Sequence, residues 1–314
     1  MYNFVEKQEG KVSILKGVCT DQNRDNREIP YKIYGINNPS IGKRPLIIWS
    51  HGLGGGRDGA GFISRFLAEY GYFVMHIQHA GTDTSLWEGK PGHPWDVIRA
   101  TEITREVTLA RYMDVPFILD QLQVLEGEHE LLMNQIDYDW LGMSGHSFGA
   151  LTSQVMAGQL FPDEDDVLSS YREDRFQAGV LYSFSGMGHL SDASPDQVFG
   201  GMKMPLLFMS GTQDDSPISG QDYTHRLPAY DLANSEDKHL LILQDGDHMV
   251  FTGSRGKLAF NPKREAQEQL IQWSSLAFWE AYLKGNERAK EWLIGSGFIS
   301  AFGDAMQYRY KETL

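Results

Sequence analysis

Short apolar runs alternate with amphipathic stretches along most of this chain. Leu46 to Ser50 (LIIWS), Tyr72 to Ile77 (YFVMHI), WLGMS from Trp140, and the later VLYSFS, PLLFMS and HLLIL are apolar throughout. Runs of this length with no polar face predict strands covered on both sides, as in a mostly parallel sheet. Between them, apolar residues recur at helical spacing. One such stretch is Phe62 to Tyr70, closed by Gly71, and another is Thr101 to Gln123, bent or restarted near Pro116. Phe148 to Gly158, a stretch between PLLFMS and HLLIL, and one after Pro262 complete the helical set. Val12 to Thr20 and Ile29 to Tyr34 read as a strand pair around the polar turn DQNRDN. Helical spacing also puts Trp273, Phe278 and Trp279 against the core.

This alternation predicts the α/β class, with a mostly parallel central sheet flanked by helices. No repeat, low-complexity linker or composition break divides the chain, so residues 1–314 read as a single domain. Insertions near 79–100 and 159–176 are expected to fold over one end of the sheet. The first carries the irregular stretch HAGTDTSLWEGKPGHPWD, longer than most connections in a compact domain.

Composition narrows the function. A hydrophobic fraction of 41% and a charged fraction of 22% suit a globular core. A net charge of −14 disfavours phosphate backbones, so no nucleic-acid partner is expected. No stretch of about 18 apolar residues predicts a membrane span. The start, MYNFVEKQEGKVSILKG, has no basic segment followed by an apolar one, and Cys19 is the only cysteine. Both point to a cytoplasmic setting. The acidic run Asp163 to Asp166 lacks the spaced ligands and glycine of a calcium loop and reads as solvated.

The chemistry concentrates at Gly145-His146-Ser147-Phe148-Gly149. The G-x-S-x-G pattern needs a strand before it and a helix after it, and here it has both. A serine hydroxyl is a poor nucleophile until a base takes its proton, and a carboxylate must orient that base. The pattern's usual order is serine, acid, histidine. PLLFMS runs into GTQDD, which offers Asp214 and Asp215; HLLIL runs into QDGDHM, which offers His248. Adjacent residues of an extended chain point opposite ways, so one aspartate reaches His248. Asp214 is taken as the acid, and Asp215 as the cap of a helix beginning near Pro217. Asp247 adjoins His248 too closely in sequence to face its ring. The candidate oxyanion donors are the N–H of Phe148 and that of Leu53, in the glycine-rich HGLGG after the first buried strand. His51 reads as a structural loop histidine. Trp87, Trp95 and Met249 are the candidate substrate-pocket residues.

With these residues in hand, the chain resembles the α/β-hydrolase superfamily. Its closer resemblance is to the branch of dienelactone-hydrolase-like esterases and platelet-activating-factor acetylhydrolases. LIIWSHGLGG, GYFVMHIQH, ARYMDVPFILDQL, MSGHSFGA and AYLKGNERAKEWL carry the likeness. Two departures stand out. Ser147 stands where true dienelactone hydrolases have cysteine. Ser183, in GVLYSFSG, stands where the acetylhydrolases have their acid, which leaves that role to the later GTQDD. The resemblance implies a serine esterase working through an acyl-enzyme on a small-molecule ester, with no metal or cofactor. A thioesterase or peptidase with the same triad, or a non-catalytic hydrolase-fold binding protein, is the alternative. Acyl length, leaving alcohol and oligomeric state are not legible.

Overall fold

A computed structural model of the chain describes residues 4–186, 193–253 and 261–312. The strands are β1 (Val12–Asp21), β2 (Arg27–Ile36), β3 (Arg44–Ser50), β4 (Phe73–Ile77), β5 (Ile136–His146), the two-residue pair β6 (Phe161–Pro162) and β7 (Leu168–Ser169), β8 (Ala178–Tyr182), β9 (Leu206–Gln213), β10 (Asp237–Asp247) and β11 (Met306–Glu312). The helices are α1 (Gly61–Glu69), α2 (Pro94–Ala100), α3 (Arg105–Glu128), α4 (Phe148–Ala157), α5 (Pro195–Phe199), α6 (Leu227–Leu232), α7 (Arg264–Tyr282), α8 (Glu287–Ile294) and α9 (Ser296–Phe302). Among the described residues, nine strands make one sheet in the order β1-β2-β4-β3-β5-β8-β9-β10-β11. The six strands from β4 to β10 in that order are mutually parallel, and the edges pair antiparallel.

The uniformly apolar strands are buried on both faces because successive side chains point to opposite sides. Leu46 and Ile48 of β3 enter the core under α3 and α4, with Leu119, Leu122 and Val155. Ile47 and Trp49 enter the opposite core under α1 and α7, with Leu67, Phe278 and Trp279. Phe278 and Trp279 are fully buried, and Trp273 packs against the same cluster.

Several expectations need correction. The long helix starts at Arg105, not Thr101, because Thr104 is its cap and accepts from the Val107 N–H. Pro116 lies inside this helix without ending it. The stretch from His79 is not irregular throughout. Thr84–Leu86 forms a 3₁₀ turn, and His93 and Pro94 start α2, with the His93 ring accepting from the Trp95 N–H. No helix begins at Pro217, so Asp215 caps none. The next helical turn is Tyr223–Arg226, capped by Asp222. The edge strand β11 has no counterpart in the sequence reading.

Parallel strands end on the same side of a sheet, and this arrangement assembles the candidate site. Ser147 directly follows β5, Ser183 follows β8, Asp214 follows β9 and His248 follows β10, while His51 to Leu53 follow β3.

Candidate active site

Ser147 sits between β5 and α4 with φ 55° and ψ −115°, a strained backbone for a residue with a side chain. Its own N–H is held by the Tyr182 carbonyl at 2.9 Å. The flanking glycines are steric necessities. A Cβ on Gly149 would lie 1.9 Å from the Ser50 carbonyl oxygen, and one on Gly145 would lie 2.3 Å from that of Gly149. Strand β3 and helix α4 therefore touch backbone to backbone beneath the serine.

Asp214 is fully buried and surrounded by donors. On Oδ1 it meets His248 Nδ1 at 2.7 Å, Ser183 Oγ at 2.9 Å and Arg226 Nη2 at 3.2 Å. On Oδ2 it accepts from Ser210 Oγ at 2.7 Å. Burial alone pushes the carboxyl pKa up, but the bond and charge of His248, the Arg226 guanidinium and the Ser210 hydroxyl bring it below its ordinary value. An ionised carboxylate only accepts, so His248 Nδ1 carries a proton, and in the neutral ring Nε2 then holds the lone pair. Asp215 is exposed, and Asp247 accepts from the Met249 N–H at 2.8 Å.

Two cavities meet at Ser147 and His248. One, of about 580 Å³, is lined also by Leu53, Trp87, Trp95 and Met249. The other, of about 560 Å³, is lined by Leu53, Phe148, His225 and Arg226 as well. Leu53 thus faces both. Among the described residues no acceptor takes the N–H of Leu53 or Phe148, whereas those of Gly54 and Gly55 are bonded within the fold. Phe148 is the first residue of α4, where N–H groups have no partner within the helix and the dipole favours negative charge. Trp87 donates its indole N–H to the Gly54 carbonyl at 2.7 Å. His51 has both ring nitrogens occupied, Nδ1 by the Gly52 carbonyl and Nε2 by the His79 N–H. Burial drives its pKa far down, and its Nε2 lone pair is already engaged by the His79 N–H.

Three neighbours complete the surroundings, of which the sequence reading singled out Ser183 alone. Ser183 Oγ lies 2.9 Å from His248 Nδ1 as well as from Asp214, and its φ is 50°. Arg226 also donates to the Phe184 carbonyl at 2.7 Å. His146, the variable residue of the pentapeptide, donates from Nε2 to the His248 carbonyl at 2.8 Å and packs on its ring. Burial and His248 hold its pKa down to about 3, so it is a neutral anchor. For Ser183 the signals are its place directly after a buried strand and its standing where the acetylhydrolases have their acid. Arg226 and His146 gave none, since their contacts join distant segments.

No helix among the described residues is long and apolar enough to cross a membrane. Nor do they contain a cluster of three or more His, Cys, Asp or Glu able to hold a metal ion.

No protein-family model matches the chain. A platelet-activating factor acetylhydrolase of Canis lupus familiaris is 28% identical over 203 residues, 56% of this chain. The match spans 41% of that protein's length. The solved ferulic acid esterase from Streptomyces cinnamoneus aligns at a TM-score of 0.62 and 17% identity, over 88% of this chain and 92% of the other. The chain has the α/β-hydrolase fold, and part of its sequence is similar to an acetylhydrolase.

Proposed function

We propose that the chain hydrolyses carboxylic esters through an acyl-enzyme on Ser147, carried by a single domain. The observation that supports this most is the 2.7 Å contact of buried Asp214 with His248 at the wall of the cavity that Ser147 also lines. The acetylhydrolase and ferulic acid esterase likenesses agree with an ester substrate.

In this reading Ser147 Oγ attacks the ester carbonyl carbon and His248 Nε2 takes its proton. The carbonyl π electrons move to oxygen, which the Leu53 and Phe148 N–H groups receive. Asp214 stabilises the imidazolium and holds its tautomer. The intermediate collapses, the C–O bond to the alcohol breaks, and the leaving oxygen takes the proton from His248. Water then gives a proton to His248 as its oxygen attacks the acyl carbon. Ser147 departs with that proton, and the acid is released. The apolar cavity of Trp87, Trp95 and Met249 favours an aryl or alkyl group on one side of the ester. Cys19, the single cysteine of the sequence, fits a reducing, cytoplasmic setting.

The test is hydrolysis of 4-nitrophenyl esters from acetate to palmitate by the wild type and by Ser147→Ala and His248→Ala. Each substitution is expected to cost about 10⁴-fold or more in turnover. Turnover near the wild-type rate in either variant overturns the assignment. Serine-dependent turnover of thioesters or amides, with none of esters at any length, moves the substrate class while keeping the machinery.

A further inference from the structure

Arg111 lies on α3 and is fully buried. No carboxylate among the described residues accepts from it. Its donors go instead to three other segments. Nη2 donates to Ser50 Oγ at 2.7 Å and to the His51 carbonyl, at the end of β3. Nη1 donates to Thr82 Oγ1 at 2.8 Å, and Nε to Thr152 Oγ1 of α4 at 2.7 Å. The face of the guanidinium stands 4.7 Å from the Phe148 ring centroid. Thr82 in turn takes the Gly54 N–H on its carbonyl at 2.9 Å.

These partners flank the two proposed oxyanion donors. His51 and Gly54 bracket Leu53 in the chain, while Phe148 and Thr152 lie on the first turns of α4. A buried guanidinium that no carboxylate bonds directly is a costly choice for a scaffold, since an apolar side chain would fill the same space without desolvation. Burial lowers its pKa to about 9, which still leaves it charged at neutral pH. Behind it runs a sealed chain of bonds. Ser50 Oγ meets His79 Nε2 at 2.9 Å, and His79 Nδ1 meets Asp114 at 3.0 Å. Asp114 is tied to Arg27 at 2.7 Å and Arg24 at 2.9 Å. This second Ser–His–Asp set is wholly buried, which suits bracing rather than turnover.

We infer that Arg111 is a positioning residue for oxyanion binding: it locks the Leu53 loop to the Phe148 turn and adds a positive charge behind both N–H groups. The inference rests on the esterase reading above. A rigid, pre-aimed donor pair acts on the transition state and not on the bound ester, so its loss appears in kcat.

The experiment compares the wild type with Arg111→Met, Arg111→Lys and Thr152→Val on a 4-nitrophenyl ester. It adds inhibition by a trifluoromethyl ketone, which forms an oxyanion adduct with serine, and by the corresponding non-electrophilic amide. Arg111→Met is expected to lower kcat by about 10²- to 10³-fold, as for loss of one oxyanion donor. KM stays within about threefold, ketone affinity falls in parallel with kcat, and amide affinity holds. Arg111→Lys is expected to recover part of the loss, and Thr152→Val to lower kcat by about 3- to 10-fold, one neutral hydrogen bond. Wild-type kcat in a folded Arg111→Met overturns the inference, as do parallel losses of ketone and amide affinity. Should Arg111→Met not fold, unchanged kcat in Arg111→Lys and Thr152→Val overturns it equally. Turnover surviving in Ser147→Ala would instead mark failure of the esterase reading itself.

Discussion

Replacing Asp214 by asparagine tests the candidate acid with its geometry kept. An amide has one acceptor and one donor end, so the outcome depends on which end faces His248. Among the described residues, three donors converge on Oδ1, from His248, Ser183 and Arg226, while Oδ2 meets only the Ser210 hydroxyl. A hydroxyl can turn and accept, but a guanidinium cannot. The amide of Asp214→Asn is therefore expected to keep its oxygen toward His248 and its NH₂ toward Ser210, which preserves the Nδ1–H tautomer. What is lost is the charge opposite the imidazolium. Two unit charges about 4 Å apart at an effective dielectric of about 20 interact by about 4 kcal/mol, or about 10³-fold in rate. Where an amide turns the histidine to the wrong tautomer, the loss is about 10⁴-fold. Arg226 also loses its counter-ion, at a cost of about 3 kcal/mol in stability. The assay is kcat on a 4-nitrophenyl ester, with the thermal midpoint and the ¹⁵N shifts of the His248 ring. A loss below tenfold would refute Asp214 as the charge partner. An Nε2–H tautomer in Asp214→Asn would refute the donor-counting argument.

Two further outcomes follow from packing and burial. Gly149→Ala would force its Cβ from 1.9 Å to about 3.3 Å from the Ser50 oxygen, parting β3 from α4 by about 1.4 Å. Turnover should fall by about 10²-fold or more and stability by about 3 kcal/mol, while Gly127→Ala, with open space around it, should cost nothing; equal behaviour of the two would refute the contact argument. His76, His79, His146 and His239 are buried, and burial foremost pushes their pKa values down to about 3, 4, 3 and 3. The unfolded chain takes up these protons near pH 6.5 and the folded chain resists them to about pH 4. Stability is therefore complete above pH 6.5 and falls with pH, by about 2 kcal/mol per histidine between pH 7 and 5. Urea midpoints unchanged from pH 7 to 5 would contradict this.

The sheet was legible because its central strands are apolar on both faces, and that requires cover on both sides. The placement of Asp214 and His248 was legible for a related reason: each directly follows such a run, where a parallel sheet delivers its residues to one end. Period alone failed where a local signal outranked it. Thr104 caps a helix whose apolar spacing starts earlier, and Pro94 opens a helix inside a stretch rich in turn residues. β11 alternates Met306, Tyr308 and Tyr310 with polar residues, the pattern of an edge strand with one face covered. Arg226, His146 and Arg111 meet partners brought close only by the fold. A single sequence holds no local trace of such contacts.

The indole bond from Trp87 to the Gly54 carbonyl bears on redesign. Trp87 walls the apolar cavity, yet it also clips the backbone one residue from Leu53. Under the proposed esterase reading, trimming it to admit larger groups would loosen that backbone, so selectivity gained there carries slower turnover with it. Trp95 walls the same cavity from α2, on a separate segment. Libraries that vary Trp95 and keep Trp87 should therefore yield altered ester preference at undiminished rate, which makes α2 the place to begin.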